Sequence, residues 1–155
     1  MLIASDGEKY SPEGIEEAIC DGSKYIEQVV LHNNQNPYTI ALLVPNKELL
    51  KQYVVKSGLD WNTREGKIAA LNLIKREMDA YRKGGAHYGE FPERWLPAAV
   101  AVLGEAFTEQ NGLVNSTMKI VRGKVEKQYA KRIENLYNKA ENKDIINEEN
   151  IEALS

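Results

Sequence analysis

The sequence predicts a small α+β domain, with a small mixed or antiparallel sheet, a hairpin and flanking helices. Three observations predict it. Short β-branched and apolar runs recur between Gly, Pro and Asn turns, the pattern of strands. Apolar residues recur elsewhere at helical spacing, as in Leu71, Ile74, Met78 and Tyr81. The two patterns come in the order strand, helix, hairpin, two helices, strand, loop, helix, which packs as helices laid against a small sheet. At 155 residues, 43% hydrophobic and 28% charged, the chain fits one soluble domain with a real core.

Taken in order, Leu2-Ile3-Ala4 reads as a strand ended by the turn dipeptide Asp6-Gly7. Ser11 is placed to cap a helix with Pro12 at its first position, and Glu13, Glu16 and Glu17 favour its dipole. Asp21-Gly22 stops that helix. Residues 26–32 and 38–44 form the clearest hairpin, joined by the polar loop 33–37. Pro45-Asn46 opens a helix to about Lys56, closed by Ser57-Gly58. Thr63 starts a longer helix whose stripe begins at Lys67 and which Gly84-Gly85 ends. Pro92 and Pro97 bracket the approach to a strand over residues 98–103. After a loop, Val121, Val125, Tyr129, Ile133 and Leu136 predict one more helix to about Lys139. Residues 140–155 read as a polar, acidic tail with a short helix near residues 148–154.

Composition narrows the function. The net charge of −3 and the lack of paired aromatics on one strand disfavour a nucleic-acid module. The lone cysteine, Cys20, reads as packing and excludes an internal disulfide. No apolar run nears the ~20 residues of a membrane span, and the first residues carry no signal-peptide pattern, so a cytoplasmic protein is expected. Neither a P-loop, a G-x-S-x-G elbow, an H-E-x-x-H pair nor a cysteine pair is present. His32 and His87 are too few and too far apart to suggest a metal site.

Two loops remain, each with a flexible backbone and a lysine beside a packed element. "SDGEKYSPEGIEEAI", residues 5–19, resembles the stretch that opens the C-terminal domain of adenylate-forming ligases, where long-chain acyl-CoA synthetases carry a G-E-x-x-S/A-P-E-x-I-E run. "NGLVNSTMKIVRGKV", residues 111–125, is similar to their terminal motif, an N-G-L-x-T-x-T-x-K loop ahead of a helix. The resemblance runs from Met1 to about Asn138. It departs from the common pattern at Thr117-Met118-Lys119, where most of the superfamily has Ser-Gly-Lys. It departs again at Ser116, where the long-chain branch has Pro.

The resemblance implies the mobile C-terminal lid of a long-chain fatty acid–CoA ligase over residues 1–139, with an extended helical insertion around residues 57–97. It implies ATP, CoA and Mg²⁺ as cofactors and a long-chain fatty acid as substrate. It also implies an N-terminal adenylation domain in cis and a parent enzyme able to associate peripherally with a membrane. Lys119 would be the catalytic lysine of adenylation, while Gly7 and Lys9 would face CoA. The lid by itself is expected to be inactive. From another class, a non-catalytic α+β interaction module with a merely solvated Lys119 is the competing reading.

Overall fold

Two three-stranded sheets organise the chain, and the computed structural model describes all residues, Met1–Ser155. The first is small: β1 (Leu2–Ala4) lies between β2 (Lys9–Tyr10), antiparallel to it, and β4 (Asn34–Asn36), parallel to it. The second is the centre of the fold. Here β5 (Ile40–Pro45) is flanked by β3 (Ile26–His32), antiparallel, and β6 (Ala99–Val102), parallel. The expected α+β class, the 26–45 hairpin and the mixed sheet are all present.

Side-chain alternation along the central strands divides the core in two. Val29, Leu31, Ala41, Leu43, Val100 and Val102 face one cluster, and Val30, Ile40, Leu42, Val44, Ala99 and Ala101 face the other. All six residues of β5 are buried, as a middle strand covered on both faces requires. Helices α1 (Glu13–Gly22), α2 (Lys47–Lys56) and α3 (Arg64–Met78) cover the first face. Helices α4 (Arg122–Gln128) and α5 (Ala130–Asn138) cover the second through Val125, Ile133 and Leu136.

Local chemistry sets the helix starts. Asn46 accepts from the Leu49 amide and Thr63 from the Gly66 amide, so two of the orphaned donors at the heads of α2 and α3 are satisfied. Ser11 does not cap α1. Pro12 holds that position, and the Ser11 hydroxyl goes to the Glu13 carboxylate instead. Nor does α3 run to Gly84-Gly85. It ends at Met78 in a tight turn, Asp79–Tyr81, that lets the Tyr81 hydroxyl reach the Ala18 carbonyl of α1 at 2.7 Å. The single helix expected after residue 121 is broken at Tyr129 (φ −104°, ψ 23°), and the bend brings residues on both sides of it into one apolar cluster.

Residues 140–155 keep their polar surface but do not trail from the domain. Ile145, Ile151 and Leu154 are buried in the first cluster. In α6 (Glu148–Ala153), Asn150 is fully buried and serves two backbone groups on one edge of β6, accepting from the Val102 amide (2.8 Å) and donating to the Val100 carbonyl (3.0 Å). A side-chain amide thus completes the outer edge of β6, where another strand would otherwise pair.

Candidate active site

Lys119 lies on a closed hairpin, tighter than the turn-rich composition of residues 111–118 suggests. Val114 and Ile120 form an antiparallel bridge, and the Val121 amide donates to the Leu113 carbonyl (2.8 Å). Across the tip the Met118 amide donates to the Asn115 carbonyl (3.0 Å), and the Asn115 amide to the Lys119 carbonyl (2.9 Å). The Asn115 side-chain oxygen collects the Thr117 amide, the Thr117 hydroxyl and the Lys119 amide. Met118 closes the loop at φ 64°, the left-handed position that a three-residue hairpin loop requires. Glycine takes this conformation at no steric cost, whereas Met118 takes it under strain. Leu113 and Val114 bury the hairpin base, while Met118 and Lys119 stay exposed.

Three residues past Lys119, Arg122 fastens the hairpin to the domain. Its Nη1 and Nη2 each donate to the Glu16 carboxylate at 2.8 Å, and Nη1 also donates to the Leu31 carbonyl (3.0 Å). Glu16 Oε2 in turn accepts the Leu31 amide (2.7 Å). One pair therefore ties α1, β3 and the Lys119 hairpin together, and the hydrogen bonds to Glu16 raise the Arg122 pKa further. Between the hairpin and α1 opens a cleft of about 640 Å³, lined by Lys119 and Met118 on one side and by Glu13, Glu17, Cys20 and Asp21 on the other. None of the chain's ion pairs uses Lys119. Burial, then the charges of Asp21 and Glu16, pushes the Cys20 thiol up to about 11, so at neutral pH it is an inert part of the wall.

Gly7 and Lys9 lie elsewhere, Gly7 on the turn between β1 and β2 and Lys9 at the start of β2, and neither lines the Lys119 cleft. Gly7 has φ 90°, the positive value that a turn after Asp6 calls for. A side chain there would meet nothing within 4 Å, so its backbone faces open space. The Gly7 amide donates to the Ala4 carbonyl, and Asp6 Oδ1 accepts the Glu8 amide. Lys9 is exposed. Its neighbour Glu8 is held instead, in a bidentate pair with Arg94.

The residues that position these loops are the ones the sequence hid. Glu16 reads as one of three dipole-favouring acids, and only its place beside the buried Ile15 and Ile19 hints that it turns inward. Asn115 at the head of a Ser-Thr turn is a readable signal for side-chain capping. For Arg122, Arg94 and Trp95 no local signal exists, because their partners lie far away in sequence. No group of three or more His, Cys, Asp or Glu side chains converges in the chain.

The family model described as AMP-binding enzyme C-terminal domain matches residues 1–59. Long chain acyl-CoA synthetase 8 of Arabidopsis thaliana is 25% identical over 130 residues, which are 83% of this chain and 18% of that protein. A chloroplastic long-chain-fatty-acid–[acyl-carrier-protein] ligase of the same plant is 29% identical over 136 residues, 88% of this chain and 16% of that protein. Among solved structures, the adenylation domain of a carboxylate reductase from Mycobacterium chelonae superposes with a TM-score of 0.68 at 25% identity, covering 88% of this chain and 19% of that one. The chain thus spans less than a fifth of the length of these relatives. Over residues 1–59 the chain is thus similar to the AMP-binding enzyme C-terminal domain, and over most of its length it is similar to acyl-CoA synthetases in sequence and to a carboxylate reductase adenylation domain in fold.

Proposed function

We propose that the chain is the catalytic lid of a long-chain fatty acid–CoA ligase, working with an N-terminal adenylation domain in cis. In the first step the fatty acid carboxylate attacks the α-phosphorus of ATP, and the bond to pyrophosphate breaks. In the second the CoA thiol attacks the acyl carbon of the adenylate. The acyl–oxygen bond breaks, AMP leaves, and the thiol proton passes to solvent or a base.

Lys119 acts in the first step. Negative charge gathers on the carboxylate and phosphate oxygens, and a compact ammonium with three donors can meet both, more strongly once closure expels water. The observation that carries this reading is the state of Lys119 itself. It is an exposed lysine with no ion-pair partner, on a backbone held by Asn115 and anchored by Arg122. Such a group is ordered at its root and free at its tip. Gly7 and Lys9 serve the second step from their separate turn, with Gly7 giving a pantetheine close access to the backbone and Lys9 meeting CoA phosphate. The separation of the two loops suits a lid that presents one face for each step.

The Arabidopsis relative named for an acyl-carrier-protein acceptor favours a second reading of that step alone, with a protein-bound pantetheine as the thiol. The deciding experiment is Lys119→Ala in the ligase. Pyrophosphate release should fall by about 10²-fold, as for a lost charge-stabilising donor. Thioester formation from supplied acyl-adenylate should be nearly unchanged, with CoA and a carrier protein compared as acceptors. Adenylation at the parent rate would refute the assignment.

A further inference from the structure

The segment between α3 and β6 meets the Gly7 turn through two adjacent residues. Arg94 Nε and Nη2 donate to Glu8 Oε1 and Oε2, both at 2.8 Å. Trp95 Nε1 donates to Glu8 Oε1 at 3.1 Å, and its ring stacks on Tyr10 with centroids 5.3 Å apart and planes within 7°. Tyr10 is itself buried, with its hydroxyl against Thr39 and taking a bond from Asn33 Nδ2 (3.3 Å). Glu8, whose carbonyl accepts the Ala4 amide just ahead of β2, and Tyr10 are two residues apart, so in extended backbone they share one face while Lys9 between them lies on the other.

We propose that Arg94 and Trp95 are positioning residues for the Gly7–Lys9 turn, holding it against the core while leaving Lys9 free for the acceptor. This gives the 57–97 stretch a role in the ligase, and it rests on the reading of Gly7 and Lys9 as the acceptor face. Two features argue that the contact is built rather than incidental. The fork of Arg94 fits the carboxylate bidentately, a geometry of specific recognition. The indole satisfies the same carboxylate while stacking on the only aromatic residue of that strand pair, so one side chain fixes both ends of the Glu8–Tyr10 segment. The bonds from Arg94 and Trp95 also hold the Glu8 carboxyl down at about 2, so the clamp stays charged at all physiological pH.

The consequence is specific to one step. Losing the clamp lets the turn wander at constant chemistry, and misplacement of about 1 Å is enough to slow a positioned reaction markedly. The test pairs two measurements on Arg94→Ala and Trp95→Phe. On the 155-residue chain, hydrogen exchange is followed at the Ala4 amide, which donates to the Glu8 carbonyl, and at the Gly7 amide, with the Leu42 amide of β5 as reference. In the ligase, adenylation and thioester formation are measured separately, with Arg94→Lys for rescue and Arg64→Ala as a control surface ion pair. The expected result is exchange at Ala4 and Gly7 faster by about tenfold with Leu42 unmoved. Thioester formation should slow by about tenfold at unchanged adenylation, with partial recovery in Arg94→Lys. Unchanged exchange at Ala4 and Gly7 would overturn the clamp and leave the Gly7 reading standing. Faster exchange with both half-reactions intact would overturn the Gly7 reading and the positioning role with it.

Discussion

Arg122 grips Glu16 with two parallel hydrogen bonds of 2.8 Å across 106 residues of chain, and through that grip the root of the Lys119 hairpin is fixed to α1. The pair is only partly exposed, at 29% and 13% for the two side chains. Removing one partner therefore strands the other, which costs more than the intact pair contributes. Arg122→Ala should lower stability by about 2 kcal/mol, less than for a fully buried pair because water still reaches the guanidinium. Urea unfolding of the 155-residue chain measures it. The Lys119 amide should exchange faster in the same variant. An unchanged midpoint would mean that the hairpin is held by Leu113 and Val114 alone.

Met118 stores a small strain at the tip. Its φ of 64° costs an L-residue about 1–2 kcal/mol, which glycine avoids while losing roughly 0.5–1 kcal/mol of backbone entropy. Met118→Gly should therefore be neutral to slightly stabilising, and Met118→Ile destabilising by about 1 kcal/mol because a branched Cβ suits this conformation least. Thermal unfolding of the three proteins gives the order Gly at or above Met, and Met above Ile. Ile at or above Met would show that the loop opens to another conformation.

Much of the fold is legible because its signals are local. The 26–45 hairpin, the Asn46 and Thr63 caps and the positive φ of Gly7 follow from residues a few positions apart. What escapes the sequence depends on distant partners. Asn34-Gln35-Asn36 is polar and reads as loop, yet it pairs in parallel with β1 because Ile3 finds the Asn33 carbonyl there. The bend at Tyr129 has no Gly or Pro to announce it. The site divides the same way. Lys119, Gly7 and Lys9 stand out by resemblance, whereas Arg122, Arg94 and Trp95 gain meaning only from the carboxylates they reach.

Cys20 lines the Lys119 cleft but should behave as an unreactive wall. With its thiol at about 11 against an ordinary 9.0, the thiolate at pH 8 is about a hundredfold scarcer than in an exposed cysteine. Iodoacetamide labelling should be correspondingly slow and should accelerate only above about pH 10. The sign for stability follows from the same shift. Above pH 9 the unfolded chain releases a proton that the folded chain keeps, so stability falls as pH rises towards 11. Labelling at pH 8 as fast as in urea would mean that the α1 wall opens readily.

Asn150 makes the closing residues part of the domain. Its oxygen accepts from the Val102 amide and from Arg132 Nη2 (2.7 Å), and its nitrogen donates to the Val100 and Ile145 carbonyls, so every polar valence of a fully buried amide is used. Asn150→Leu keeps the volume but strands three backbone groups at once and leaves the Arg132 guanidinium with only its pair to Glu149. Each stranded buried group costs about 1–3 kcal/mol, and water admitted at the β6 edge recovers part of that, so a net loss of about 3 kcal/mol or more is expected. Asn150→Asp should be destabilising too, since it keeps both acceptor contacts but turns its second oxygen towards the Val100 and Ile145 carbonyls that the amide nitrogen served. Deleting residues 140–155 should do more harm than either, because Ile145, Ile151 and Leu154 leave the core with the bonds. Chemical denaturation of the three variants measures this order. A deletion as stable as the parent would return these residues to the status of a tail.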